Sequence, residues 1–279
     1  MRHLALPAFL LLLCFTAFAG CRSTTKEKMA TQSTQKPLHP SIVIDSSAPT
    51  IHVMVALCDN QYQGIVPVPK GIGNGQQPHT NLYWGCGLGL RTYFSKSAEW
   101  QLLRKYFVDS TILERLIFKH RTKKMYLVAD GYNGKYIKNC TQHFLEGSAG
   151  MVSDTLQWKG EILGLAGNAK LLAYVGHDGL MDFQLQPNFV NTDHKKRDVM
   201  MVACFGKYYF GRYLKNANVR PLIWSTGLMS AEAYTIHDAI NAYVAGATPA
   251  AIQQAAANAY ARYQHCSPKA AARLIVTGW

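Results

Sequence analysis

Five short apolar runs constrain this chain more than anything else in it: IHVMVALC (51–58), KKMYLVADGY (123–132), LLAYVG (171–176), VMMVA (199–203) and PLIWS (221–225). A short apolar run bounded by turn residues reads as a strand buried on both faces. Helical patterns alternate with these runs: part of 82–107, weakened by three glycines, then 136–147 with Gly147 as its stop, 208–216, 231–246 and TPAAIQQAAANAYARYQ (248–264). Strands alternating with helices imply βαβ units and a sheet covered on both faces. The predicted fold class is α/β, with strands at about 51–58, 124–130, 171–176, 199–203 and 221–225 in one mainly parallel sheet.

Two of the runs end in a reactive side chain, LLAYVG in His177 and VMMVA in Cys204. In an open parallel sheet the crevice beyond the carboxyl ends of the strands is where ligands bind. If the two strands are neighbours, imidazole and thiol stand side by side there, and a thiol beside a base can act as a thiolate nucleophile. Cys58 also ends a strand and is the runner-up nucleophile. A lone Cys is also a common core residue, so a purely structural Cys204 is the competing reading.

A hydrophobic block ending in Gly176-His177-Asp178-Gly179, followed by one ending in Val202-Ala203-Cys204, resembles the signature of the caspase, legumain and gingipain superfamily of cysteine peptidases. The helix, strand and Ala-rich helices after Cys204 are laid out in a similar way, and the likeness spans roughly 51–265. It implies a caspase-like three-layer α/β/α domain with a mostly parallel central sheet. It also implies a peptide or protein substrate, Cys204 as nucleophile, His177 as proton-transfer partner, and an oxyanion held by N–H groups of Asp178, Gly179 and Cys204. The family carries Gly directly after the His, where this chain has Asp178. A catalytically inactive caspase-fold binding or scaffold protein is therefore the alternative.

Other chemistries find less support. HDGLMD gathers His177, Asp178 and Asp182, but the chain has no H-x-H or H-x-x-x-H spacing, and no metal is expected. GIGNG and GCGLG lack the G-x-G-x-x-G spacing and the strand-turn-helix setting of a nucleotide site, so no cofactor is expected either. Asp59 and Asp130 follow or end strands, where they can face the crevice as weak substrate-binding carboxylates or act as turn formers. The long Gly- and Pro-rich stretch 59–81 is expected to be functional or to cover a site.

Residues 1–21, MRHLALPAFLLLLCFTAFAGC, have the basic start, apolar stretch and small residues of an export signal. Ending in Ala19-Gly20-Cys21, the segment resembles a bacterial lipoprotein signal, which implies lipidation of Cys21 and a place in the cell envelope, with Arg22 favouring an outer membrane. Residues 22–49 are rich in Ser, Thr, Lys, Gln and Pro and read as a tether, leaving 50–279 as one domain. Without Cys14 and Cys21, five of the seven Cys are left, an odd number, so at least one thiol is unpaired, and Cys204 is the expected one. The net charge is +13, or +12 once Arg2 leaves with the signal. RTKK (121–124) and HKKR (194–197) read as solvated loops, and no nucleic-acid motif accompanies them.

Lipidation predicts that the protein sediments with membranes and that Cys21→Ser releases it or leaves it unprocessed. A correctly processed Cys21→Ser protein that still sediments with membranes overturns that reading.

Overall fold

In the computed structural model, which describes residues 47–186 and 188–279, all five apolar runs are strands. The elements in chain order are β1 (Thr50–Ala56), α1 (Leu90–Ser95), β2 (Trp100–Tyr106), β3 (Ile112–His120), β4 (Tyr126–Tyr132), α2 (Ile137–Ser148), β5 (Ser153–Trp158) and β6 (Glu161–Ala166). They continue with β7 (Leu171–Gly176), β8 (Asp198–Val202), α3 (Gly206–Leu214), β9 (Arg220–Ser225), α4 (Ala233–Val244), α5 (Pro249–Gln264), α6 (Pro268–Leu274) and β10 (Ile275–Val276). Among the described residues no helix is long and apolar enough to cross a membrane.

The sheet has eight strands in the order β10-β9-β8-β7-β1-β4-β3-β2. Its middle five, β9-β8-β7-β1-β4, are mutually parallel. Every residue of β1, β4, β7 and β8 is buried, as expected of parallel strands covered on both faces. Alternate residues of β1 feed different cores. Ile51, Val53 and Val55 pack with α4 and α5 side chains such as Ile240 and Ile252, whereas Met54 and Ala56 pack with Phe144 of α2 and Phe210 of α3. At β9 the register slips between Val199 and Met200 of β8, beside Pro221, which has no N–H for the ladder.

The remaining strands depart from the expected parallel pattern. β2, β3 and β10 join antiparallel, so the sheet is mixed at its margins. Within the stretch 82–107 expected to contain a helix, only Leu90–Ser95 is helical, and Trp100–Tyr106 is the edge strand β2, whose Gln101, Arg104 and Lys105 are exposed. A separate hairpin, β5–β6, turns on Lys159 (φ 47°) and Gly160 (φ 84°), the positive torsions that a two-residue hairpin turn requires.

The segments 1–21, with Cys21, and 22–46 lie outside the described residues. The last three residues of the expected tether belong to the packed domain. Ala48 is fully buried and bridges to Leu163, Ser47 Oγ donates to Glu161 at 2.7 Å, and Pro49 O accepts from Tyr126 N at 3.0 Å. RTKK is the exposed turn between β3 and β4, but in HKKR only the first three residues are exposed. Arg197 is buried, donating from Nε to Gly167 O at 2.8 Å and from Nη1 to Asp193 at 2.9 Å.

Asp130 corrects the strand-end reading, since it lies inside β4 and is fully buried. It faces Arg115 across the β3–β4 ladder and accepts from Arg115 Nε at 2.6 Å and Nη2 at 2.7 Å. His52 of β1 completes the cluster. Its Nδ1 accepts from Ala166 N at 3.0 Å, so its Nε2–H donates to Asp130 Oδ2, also at 3.0 Å. Burial alone pushes the Asp130 carboxyl up, but the Arg115 and His52 hydrogen bonds outweigh it and hold the group at about 2. Both carboxylate oxygens are saturated inside the sheet, which leaves Asp130 nothing to offer a substrate.

Asp130→Ala strands the Arg115 guanidinium and should cost about 3–5 kcal/mol. The Asp130→Ala/Arg115→Ala double variant should lose less than the sum of the two singles. Urea unfolding measures both, and an Asp130→Ala protein within about 1 kcal/mol of wild type overturns the account.

Candidate functional site

Register decides the site. Val175 of β7 pairs with Val202 of β8, so His177 and Cys204 each stand two residues beyond the same rung. Gly176 makes the exit from β7 possible: its φ is +134°, and a Cβ there would lie 2.6 Å from Ala56 O of the neighbouring strand. On the other strand Phe205 takes the left-handed conformation (φ 50°) directly after Cys204 and starts α3, pinned by its N–H to Gly227 O at 2.8 Å. A non-glycine residue held there is a sparsely populated backbone state of the kind that clusters at functional sites.

Both side chains line one cleft of about 460 Å³. The long 59–81 stretch covers it as expected, presenting Gly64, Ile65 and Val66, with Tyr83 just after it. The β9–α4 connection adds Leu228 and Met229, and α5 adds Tyr260. Asp59 shapes the covering loop from within, its Oδ1 accepting from Gln61 N at 2.8 Å and its Oδ2 from Gln76 Nε2 at 2.6 Å. Asn81, which the sequence did not single out, ties the loop to the end of β1 through Cys58 N (3.1 Å) and Cys58 O (2.8 Å). Asp59 is buried and does not line the cleft, so its place is that of a turn former.

His177 Nε2 is 2.8 Å from Asp182 Oδ2, which also accepts from Gly64 N at 2.9 Å. A carboxylate at Nε2 selects the tautomer with hydrogen on that nitrogen and leaves the Nδ1 lone pair free, the form a general base needs. Asp182 thus orients the imidazole and ties it to the covering loop. From the sequence Asp182 is a candidate metal ligand beside His177 and Asp178. Among the described residues no group of three or more His, Cys, Asp or Glu side chains is arranged to hold a metal ion.

Cys204 does not hydrogen-bond His177. Its Sγ lies 3.5 Å from Met229 O and 3.4 Å from Met229 N, donating to the first and accepting from the second. Burial raises its pKa, the Met229 N–H opposes that rise, and the nearby Asp178 carboxyl adds to it, so the resting group is the thiol. The runner-up, Cys58, is fully buried, and burial with the charge of Asp59 pushes it up to about 12. All five described cysteines are free, and Cys204 is partly exposed.

Of the three N–H groups expected at an oxyanion, only that of Cys204 belongs to a cleft-lining residue. Asp178 and Gly179 are buried in the short turn that follows His177. Asp178 Oδ1 caps this turn by accepting from Leu180 N at 3.0 Å, and its Oδ2 has no hydrogen-bond partner. Burial drives this carboxyl up to about 7, with the turn N–H opposing and Asp182 adding to the rise. Comparison of the chain with known protein families, with curated proteins and with solved structures gave no match.

The folded protein keeps a proton on Asp178 up to about pH 7, whereas an unfolded chain releases it near the ordinary value of 3.8, so this group makes stability fall as pH rises through that window. Asp178→Asn should flatten that decline. It should also speed alkylation of Cys204 by up to about tenfold above pH 7, where the carboxylate opposes the thiolate, and leave it unchanged at pH 5. Mass-spectrometric labelling rates measure this, and equal rates at pH 8 in the two proteins refute the coupling.

Proposed function

We propose that this chain is an exported, lipid-anchored cysteine endopeptidase with a caspase-like domain, in which Cys204 is the nucleophile and His177 the proton-transfer group. The observation that carries the proposal is that adjacent parallel strands deliver the two side chains in register to one open cleft. Helical side chains in the core on both sides of β1, and the strand order β4-β1-β7-β8-β9, support a three-layer caspase-like arrangement. The anchor is Cys21, in the cell envelope, and the partners are a peptide or protein substrate and the membrane.

In this mechanism His177 Nδ1 takes the Cys204 proton as Sγ adds to the scissile carbonyl. The same proton goes to the departing amine as the C–N bond breaks, and water then hydrolyses the thioester. The N–H of Cys204 is the candidate donor to the oxyanion. Asp182 holds the imidazole in place through the step by its hydrogen bond to Nε2.

One feature favours the second reading, a non-catalytic binding lipoprotein of the same fold: Sγ is engaged by Met229 and makes no hydrogen bond to His177. In the peptidase reading this contact opens and the thiol meets the imidazole in the substrate complex, where catalytic hydrogen bonds often close.

Hydrolysis of a mixed peptide library under reducing conditions separates them. Cys204→Ala and His177→Ala should each lower kcat/KM at least about a thousandfold, and the double variant should be hardly worse than either, because members of a catalytic unit are non-additive. Asp182→Ala, which removes only the hydrogen bond that orients the imidazole, should keep part of the activity. Activity that survives Cys204→Ala overturns the proposal.

A further inference from the structure

The cleft beside Cys204 is lined by Ile65, Val66, Tyr83, Met181, Leu228 and Tyr260, and His177 is its one ionisable side chain apart from the thiol and the tyrosines. No carboxylate residue lines the cleft, and those close in sequence to its lining residues have partners of their own. Asp182 is bonded to His177 and Gly64 N, Asp178 faces inward to Leu180 N, and Glu232 is bonded to Ser230 Oγ at 2.9 Å and to Tyr234. Asp59 and Asp130, the carboxylates that could have received a basic side chain, are consumed by the covering loop and by Arg115. No Lys or Arg lines the cleft to receive an acidic one.

The rim carries its own signal. Val66 is 88% exposed and Leu228 68%, apolar side chains from two separate loops that both line the cleft. Apolar groups gathered in this way around a concavity mark a binding site, whereas apolar residues scattered singly over a surface do not. About 460 Å³ is room for one large side chain and the peptide that bears it. A charged side chain entering would lose water and meet no partner, which is costly, whereas a Leu, Met or Phe side chain buries apolar area against the rim.

We infer that the cleft selects an apolar side chain, aliphatic or aromatic, on the residue whose carbonyl Cys204 attacks. The inference rests on the peptidase reading for the word substrate, but the cleft's preference for an apolar ligand can be measured without catalysis. The purified full-length protein is assayed on fluorogenic peptides that differ only at that residue: Phe, Leu or Met against Arg, Lys, Asp or Asn. The expected result is a kcat/KM at least about a hundredfold higher for Phe or Leu than for Arg or Asp. In parallel, the Cys204→Ala protein is titrated calorimetrically with N-acetylated, C-amidated peptides carrying the same residues, and Leu228→Glu is added to that background. Phe peptides should bind, Arg and Asp peptides should not, and Leu228→Glu should weaken Phe binding while strengthening Arg binding, each about tenfold. Cys204-dependent cleavage that prefers Arg or Asp overturns the inference and leaves the peptidase reading standing. Binding of Phe peptides with no cleavage of any peptide by the wild type overturns the peptidase reading and supports the apolar preference. Neither cleavage nor binding overturns both.

Discussion

Parallel pairing of β7 with β8 is the constraint on which the rest of this molecule depends. Parallel neighbours end at the same edge of a sheet, and each crossover between them must travel over one face. β4, β1, β7, β8 and β9 therefore present their carboxyl ends together, and α2 and α3 are placed over the face that carries Met54, Tyr174 and Met201. Because side chains alternate along a strand, a slip of one residue would turn either His177 or Cys204 to the other face. The rung at Val175 and Val202 is what keeps imidazole and thiol at one cleft.

Two carboxylates follow His177, and their surroundings give them different chemistry. Asp182 is partly open, receives the Gly64 N–H and meets the imidazole, so it serves as an orienting group. Asp178 is sealed beneath the turn with one oxygen unpartnered and is held near neutrality in its titration. The pair illustrates how burial and partners separate acids of the same type. Asp178 also lies close enough to Cys204 to oppose its ionisation, which makes this residue an electrostatic neighbour of the thiol as well as a turn cap.

The elements that escaped sequence reading share a physical cause. β2 and β3 are marginal strands with charged residues on an open side, so Arg104, Lys105 and Lys119 blur the alternation that marks a strand. β10 is two residues long, too short for any periodicity. Asp130 was legible as an acid near the end of an apolar run, but its partner Arg115 comes from β3, a strand with no sequence signature of its own. Asn81 has no local signature either, because what gives it its role is Cys58, 23 residues away, and Asp182, legible beside His177, gains its tie to the covering loop only from the distant Gly64.

The sequence by itself determined the five central strands, the βαβ order that makes them parallel, and the arrival of His177 and Cys204 at strand ends. Burial on both faces demands apolar runs of strand length, and that demand is local. Only the tertiary structure decided the strand order, the antiparallel margins, the burial of Asp130 and Asp178, the bond from Asp182 to His177, and the apolar lining drawn from residues as distant as Ile65 and Tyr260. Most of those features arise between groups separated along the chain, and even the short-range bond from Asp182 to His177 depends on a turn whose shape no local pattern records.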